Sequence, residues 1–540
     1  MRINVHNFPN KVGGWWPWPW PGGDDDDDDG QADVADLNPV LLVPGIGGSI
    51  LNAVNEKGRV ERIWVRLFAA DHEFRAKLFS LYDPLTGKTN SLDPNTTIEV
   101  PDDRYGLYSC DILDPAVIFR MDDVYYFHDL IKQLTDWGYQ EGTTLFGFGY
   151  DFRQSNRLAE HMDKFKAKLE SMHKASGGKK ADIISHSMGG VFVKCFLALH
   201  HDFFEQHVNS WIAIAAPFQG APGFIMDCLL TGVEFVKGWQ RQLFVAKWSM
   251  HQLLIECPSV YEMMASEDFP WAEPPELRLW RKQSSGEDRE NTKTESVLER
   301  YGPKVYLEVM SAALRGNTMN FNGEIIPTPM NTEILKWAEK TRRILEISEM
   351  PASCKFYNIV GTSNDTPFHT CYGTKENPIE QLTDILELEA NFSFVDGDGT
   401  VPLESSMGDE LNAAMRIGIP GDHRGILKDE RLFRILKHFL KVGEPDPFYD
   451  PMWDFVFIPR PSLKHELDHG VNQSSAVDVG FETWKLIVCE ESVETVQQVI
   501  ETDEHCVIST TTSGSRLLDK DSVEPVVARN RTSWFWRRHI

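Results

Sequence analysis

The chain has few cysteines, a deficit of positive charge and no long apolar run, and each shortage removes a class of function. Its eight cysteines include no C-x-x-C pair and no short regular spacing, which argues against a disulfide framework and against a zinc site. Lysine and arginine number 54 against 81 acidic residues, a formal charge of −27, so no general affinity for nucleic acid or strongly anionic membranes is expected. Six of those charges form the run Asp24 to Asp29, which reads as a solvated linker. No stretch of about 18 uninterrupted apolar residues occurs, so no spanning helix is predicted. The first residues lack an aliphatic h-region and are broken by prolines, unlike a signal peptide. These absences predict a soluble cytoplasmic protein in a reducing compartment, with sequons such as those at Asn95, Asn391 and Asn472 unused. A hydrophobic content of 41% over 540 residues is enough for a large core, in one domain with insertions or in two or three.

The stretch Ala181-Asp182-Ile183-Ile184-Ser185-His186-Ser187-Met188-Gly189-Gly190 organises the chain. A short apolar strand runs into a small-residue turn and then into an apolar helix, from about Val191 to Leu199. This is the context in which a G-x-S-x-G nucleophile elbow has physical meaning, because a tight turn presents the serine hydroxyl at the strand's carboxyl end. Ser185 replaces the first glycine, while Gly189 and Gly190 remain. The competing reading is a serine that only caps the helix; the strand before it and the two glycines after it favour the elbow. A second Gly-x-Ser, Gly361-Thr362-Ser363, lacks a following glycine and precedes no helix.

Asn38 to Pro44 is a continuous apolar run ending in Gly45-Ile46-Gly47-Gly48-Ser49. Such a run reads as a buried parallel strand, and the glycines after it leave backbone N–H groups free to meet a ligand. In α/β-hydrolases an early loop of this kind supplies one oxyanion-hole donor and the residue after the nucleophile supplies the other. The candidates are the backbone N–H groups of Ile46 and Met188. A phosphate-cradling loop is the rival, but no Gly-Lys-Ser/Thr and no G-x-G-x-x-G follow, and no cofactor or metal is predicted.

Alternation of strand and helix continues through residue 201. Val124, Phe127, Leu130, Ile131, Leu134 and Trp137 recur at helical spacing up to Gly138. Thr143 to Tyr150 reads as a strand, and Leu158, Met162, Phe165, Leu169 and Met172 as the apolar face of a helix ending near Gly177. Another strand, Trp211 to Ala215, ends at Pro217-Phe218-Gln219-Gly220. The pattern predicts a mostly parallel sheet with crossover helices.

After Gly220 the alternation stops for over a hundred residues. Leu229, Leu230, Val233, Phe235, Val236, Trp239, Phe244, Trp248 and Leu254 suggest short amphipathic helices, and Ser284 to Thr294 reads as a mobile polar loop. An insertion at about 220–350 sits where hydrolase sheets carry a cap; an unrelated second domain is the alternative. The sheet resumes at Phe356 to Val360. Phe392 to Val395 then feeds the Asp396–Pro402 loop, and Ile417 to Pro420 precedes Gly421–Gly425. Leu432, Ile435, Leu436, Phe439 and Leu440 mark a last helix. The expected division is a Trp/Pro and Asp-rich segment at 1–36, a hydrolase domain at 37–445 and an irregular extension at 446–540. The Trp15–Pro21 region suits either a membrane interface or a loop on the protein's own surface. The extension includes a possible strand at Lys485 to Val488 and closes on Trp534-Phe535-Trp536-Arg537-Arg538-His539-Ile540, which reads as a frayed terminus, with contact to lipid headgroups as the alternative.

A serine needs a base, and the base needs a carboxylate to hold its tautomer. In α/β-hydrolases the chain order is serine, acid, histidine. Of the six histidines after Asp398, only His423 lies in a short loop between a strand-like segment and a helix. Asp396 and Asp398 both lie in a glycine-flanked loop after a strand, and local physics does not separate them.

Five motifs in order are Val43–Ser49, Tyr150-Asp151-Phe152-Arg153, Ser185–Gly190, Ala216–Gly220 and Asp396–Val401. Together they resemble the lecithin-cholesterol acyltransferase family, in particular its plant cytosolic, phospholipase A-like branch. The resemblance implies Ser187 as nucleophile, Asp398 as acid, His423 as base and an oxyanion hole from the amides of Ile46 and Met188. It also implies a membrane-binding cap and no need for calcium. The reading is therefore an α/β-hydrolase that attacks a fatty-acyl ester of glycerophospholipids such as phosphatidylcholine. Its expected partners are a phospholipid membrane surface, met peripherally, and water or a lipid hydroxyl as acyl acceptor; no nucleic acid is expected and no oligomeric state is predicted. The rivals are a soluble carboxylesterase for small esters and a non-catalytic lipid-binding protein. The first would not need a long apolar cap, and the second predicts damage to the three side chains.

Overall fold

The computed structural model describes residues 37–65, 76–114, 124–233, 247–285, 293–321 and 323–442. The 1–36 segment, the 446–540 extension, and Phe235, Val236, Trp239 and Phe244 of the insertion lie outside the described residues.

Six strands form a parallel sheet in the spatial order Met415–Pro420, Lys355–Thr362, Val208–Ile214, Ala181–His186, Val40–Val43 and Leu145–Gly147. Val40 to Val43 are all fully buried, as expected of a strand covered on both faces. Each such side chain contributes roughly 1.5–3 kcal/mol on burial, so a four-residue strand is held by being covered on both faces and paired on both edges rather than by its length. Within this sheet the path starts at Val40–Val43, steps out to the edge strand Leu145–Gly147, and returns on the other side to Ala181–His186. The order therefore reverses between Val40–Val43 and Ala181–His186. In open parallel sheets, ligands bind beyond the carboxyl ends of the strands at such a switch point.

The helices packed into the core follow the apolar periodicity. Helix Ala159–Ala175 buries Met162, Phe165, Leu169 and Met172, and helix Glu430–Phe439 buries Leu432, Ile435, Leu436 and Phe439. Helix His128–Asp136 buries Leu130, Ile131 and Leu134; Val124 and Phe127 precede it but are buried in the same core. The helix after the elbow starts at Met188, three residues earlier than its apolar run suggests, because the glycines continue it.

Between Ile214 and Lys355 no described strand joins this sheet. Among the described residues the segment supplies helices Pro222–Leu230, Lys247–Leu254, Pro258–Glu262, Pro303–Ala313 and Thr332–Glu346, a small strand pair Thr318–Phe321 and Glu324–Pro327, and the longer pair Leu277–Ser285 and Lys293–Tyr301. Two expectations change here. The flanks of the predicted loop at Ser284 to Thr294 are the paired ends of that antiparallel ladder, with Ser285 opposite Lys293. Phe392 to Val395 does form a strand, within Asn391–Gly397, but it pairs with Asn364–Tyr372 at the edge of a second, four-stranded sheet. Short strands at Leu51–Asn55, Val60–Trp64 and Thr96–Glu99 form a further small sheet whose alternation is too brief to stand out in the sequence. All six cysteines among the described residues are free thiols.

Candidate functional site

Ser187 sits between strand Ala181–His186 and helix Met188–Leu199 with φ 57° and ψ −132°. A side chain with positive φ costs on the order of 1–3 kcal/mol, and the surroundings hold it there. The Ser187 N–H donates to the Ile214 carbonyl at 2.9 Å, and the Ser187 carbonyl accepts from Gly190 N–H at 2.9 Å. Its hydroxyl makes no helix-capping bond, so the cap reading does not describe this serine. Close approach explains the small residues. A Cβ on Gly189 would lie 2.6 Å from the carbonyl oxygens of both Val43 and Pro44, and one on Gly45 would lie 2.6 Å from Ser187 Cβ. Ser185 replaces glycine without cost because its buried hydroxyl accepts from Trp211 Nε1 at 2.8 Å.

Residues distant in sequence converge on Ser187. His423, in the loop after strand Met415–Pro420, places Nε2 2.9 Å from Ser187 Oγ. Its Nδ1 lies 2.7 Å from Asp398 Oδ2. The other carboxylate oxygen, Oδ1, accepts from the amides of Thr400 and Val401 at 2.9 and 2.7 Å. Asp398 is 2% exposed, and charge-assisted bonds of this kind compensate a buried carboxylate for lost water. Asp396 points elsewhere: its Oδ1 accepts the Ser363 amide at 2.6 Å, on the exposed side of the turn. The second Gly-x-Ser sequence thus serves as a partner for Asp396, and Asp398 faces the histidine.

The Gly45–Ser49 loop lies against the serine at the sheet's switch point, since a Cβ on Gly45 would also come within 3.0 Å of Ser187 Oγ. Neither the Ile46 nor the Met188 amide has a protein acceptor among the described residues. For Met188 this follows from its place in the first turn of a helix, where amide donors have no intrahelical partner.

Two residues without a role in the sequence reading surround this geometry. His186, adjacent to the serine, has Nδ1 2.7 Å from Tyr126 Oη and Nε2 2.8 Å from the His423 carbonyl. Tyr126 Oη in turn accepts the Gly45 amide at 2.8 Å. Burial, reinforced by the neighbouring His423, pushes the His186 ring well below the usual histidine range, and burial raises the Tyr126 phenol above its own. His186 stood inside the elbow motif, but no local pattern reports its partners. Among the described residues no group of three or more metal-ligating side chains is assembled, and no helix is long and apolar enough to cross a membrane.

A parallel sheet with a serine in a strained strand-to-helix turn, backed by a histidine and a buried aspartate from later loops, defines an α/β-hydrolase. Residues 62–409 match the family described as lecithin:cholesterol acyltransferase, and the chain belongs to that family. Lecithin-cholesterol acyltransferase-like 4 of Arabidopsis thaliana is 52% identical over 466 residues, covering 86% of each chain. Phospholipase A(1) LCAT3 of the same plant is 49% identical over 433 residues, covering 79% of this chain and 96% of that one. The bovine (Bos taurus) lysosomal phospholipase A and acyltransferase is 27% identical over 203 residues, which span 34% of this chain and 48% of that protein.

Proposed function

We infer that this chain is a phospholipid acyl hydrolase or acyltransferase that works through an acyl-enzyme on Ser187. The observation that carries the reading is the continuous Asp398–His423–Ser187 chain of 2.7 and 2.9 Å in a member of this family. His423 Nε2 takes the hydroxyl proton as Ser187 Oγ attacks the ester carbonyl of a glycerophospholipid such as phosphatidylcholine. Asp398 holds the proton on Nδ1 and stabilises the imidazolium. The amides of Ile46 and Met188 face the oxyanion of the tetrahedral intermediate. His423 then returns the proton to the departing lysophospholipid oxygen, leaving the acyl group on Ser187. Water, or the hydroxyl of a lipid, gives its proton to the same nitrogen and takes the acyl group. The stretch at about 220–350 covers the site as a cap, and the protein works in the cytoplasm, binding membrane surfaces peripherally.

The test uses phosphatidylcholine vesicles labelled differently in the two acyl chains, with and without a lysolipid or sterol acceptor. Label released as free fatty acid with acceptor abundant means a phospholipase, and the label released assigns the position. Label in a new ester means a transferase. Ser187→Ala is expected to lose at least about 10⁴-fold in kcat; a variant as active as the parent would remove the basis of the reading. Flotation with vesicles checks the membrane association, and absence of flotation favours a small-ester carboxylesterase.

A further inference from the structure

Four groups between the glycine loop and His423 form one hydrogen-bonded line. Gly45 N–H meets Tyr126 Oη at 2.8 Å, Tyr126 Oη meets His186 Nδ1 at 2.7 Å, and His186 Nε2 meets the His423 carbonyl at 2.8 Å. Partner chemistry allows one placement of the hydrogens. A carbonyl only accepts, so Nε2 carries the proton. In a neutral ring Nδ1 then accepts, so Tyr126 must donate to it. The phenol oxygen is left to accept, and the Gly45 amide supplies its donor. Every group is satisfied, and the interior leaves little room for substitutes: Tyr126 is 6% and His186 1% exposed.

The placement matters because of what each end carries. Gly45 precedes Ile46 and lies against Ser187 Oγ. His423 is gripped at both of its peptide groups, since its N–H donates to the Asp398 carbonyl at 2.8 Å and its C=O accepts from His186. The base residue is therefore fastened to the acid on one side and, on the other, to the residue next to the nucleophile. We propose that Tyr126 and His186 are positioning residues, which hold the glycine loop and the His423 loop in register with Ser187 through this buried line. The proposal rests on the catalytic reading of Ser187, His423 and Asp398.

The groups facing His186 are Tyr126, the His423 ring at a centroid distance of 4.7 Å, and Arg424, whose guanidinium lies 5.3 Å from the centre of the Tyr126 ring. Burial first, and then the positive charge that His423 acquires and Arg424 carries, opposes a proton on His186. The ring stays neutral while His423 cycles through its charged form, and the line persists throughout turnover.

The experiment compares the parent with Tyr126→Phe, His186→Phe and His186→Gln on phosphatidylcholine vesicles. Competent sites are counted by phosphonate titration of Ser187, so that misfolded protein is subtracted. Tyr126→Phe and His186→Phe are expected to lower kcat per site by about 10- to 100-fold, the scale of a misplacement near 1 Å, with KM nearly unchanged. His186→Gln recovers part of the loss, because its amide N–H reaches the His423 carbonyl. Unchanged kcat per site in the two phenylalanine variants, or a glutamine variant no better than His186→Phe, overturns the proposal. A measurement on the parent covers variants that fail to fold. With ¹⁵N-labelled histidine, His186 is expected as the neutral Nε2–H tautomer over about pH 5 to 8, and an Nδ1–H tautomer or a titrating ring overturns the proposal. A parent with no activity on any lipid ester refutes the catalytic reading instead, and the tautomer measurement still judges the hydrogen-bond line.

Discussion

Replacing Asp398 by asparagine separates the two neighbouring carboxylates by a mechanism that the hydrogen bonds dictate. In the parent, Oδ1 accepts two amides, from Thr400 and Val401, while Oδ2 faces His423 Nδ1. An asparagine in the same rotamer has one acceptor and one donor end. The two backbone donors claim the amide oxygen, because turning the NH₂ toward them would leave both buried and unpaired, at about 1–3 kcal/mol each. The NH₂ therefore points at His423 Nδ1 and makes it an acceptor. The single ring proton of neutral His423 moves to Nε2, against Ser187 Oγ, where a base must have a lone pair. The wrong tautomer costs about 10⁴-fold in kcat, or about 5 kcal/mol on the barrier. Stability changes little, because the two amide bonds and the shape of the turn persist. Asp396→Asn keeps its amide oxygen on the Ser363 N–H and is expected to stay within a fewfold of the parent. The assay is fatty-acid release from phosphatidylcholine at saturating substrate, with thermal melts of both variants. An Asp398→Asn enzyme within tenfold of the parent, or an Asp396→Asn enzyme that is the slower of the two, would refute the reasoning.

Ser185→Gly restores the glycine usual at this elbow position but strands the buried Trp211 Nε1–H; stability should fall by about 1–3 kcal/mol in urea melts with kcat retained, and an unchanged midpoint would contradict the role given to this hydroxyl. Gly45→Ala puts a Cβ 2.6 Å from Ser187 Cβ, so the loop must retreat. Its kcat should drop by up to about 100-fold while the melting temperature holds; full activity would show that the loop is not part of the machinery. His161, packed edge-on against Tyr150 with its Nδ1 unpaired, is lowered by burial from 6.5 to about 4. Between those values the unfolded chain binds a proton that the native state refuses, so this group makes stability fall as pH drops from 6.5 to 4. His161→Phe should lose less unfolding free energy than the parent over that interval, by an amount on the order of a few kcal/mol; parallel pH profiles would rule the assignment out.

Much of the fold was legible because it is written in contiguous residues. Val40–Val43 reads as a doubly covered strand from four apolar residues in a row, and helix Ala159–Ala175 buries four of the five apolar positions that the spacing picks out, the fifth, Leu158, being buried at its N-cap. The Phe392–Val395 segment shows where this stops. Its composition makes a strand, but which sheet it joins depends on Asn364–Tyr372 being free to pair with it, and no property of the segment reports that. The polar flanks at Ser284 to Thr294 looked like loop for the same reason, since they are strands only through pairing with each other.

The sequence by itself determined the serine, the small residues around it, the order of the motifs and a histidine in the right kind of loop, because each depends on the sterics of a few adjacent residues. Local physics left Asp396 and Asp398 open and the family resemblance implied Asp398; the tertiary structure turns Asp398 toward His423. They are two residues apart in one turn, and Asp396 is turned by the amide of Ser363, 33 residues back, while Asp398 is held by its near neighbours Thr400 and Val401 and faces His423, 25 residues further on. Only the tertiary structure decided that Tyr126 and His186, 60 residues apart, meet each other, and that His186 meets the backbone of His423, 237 residues away. A hydrogen bond is satisfied by position and direction, and across such distances in sequence only the packed chain supplies either.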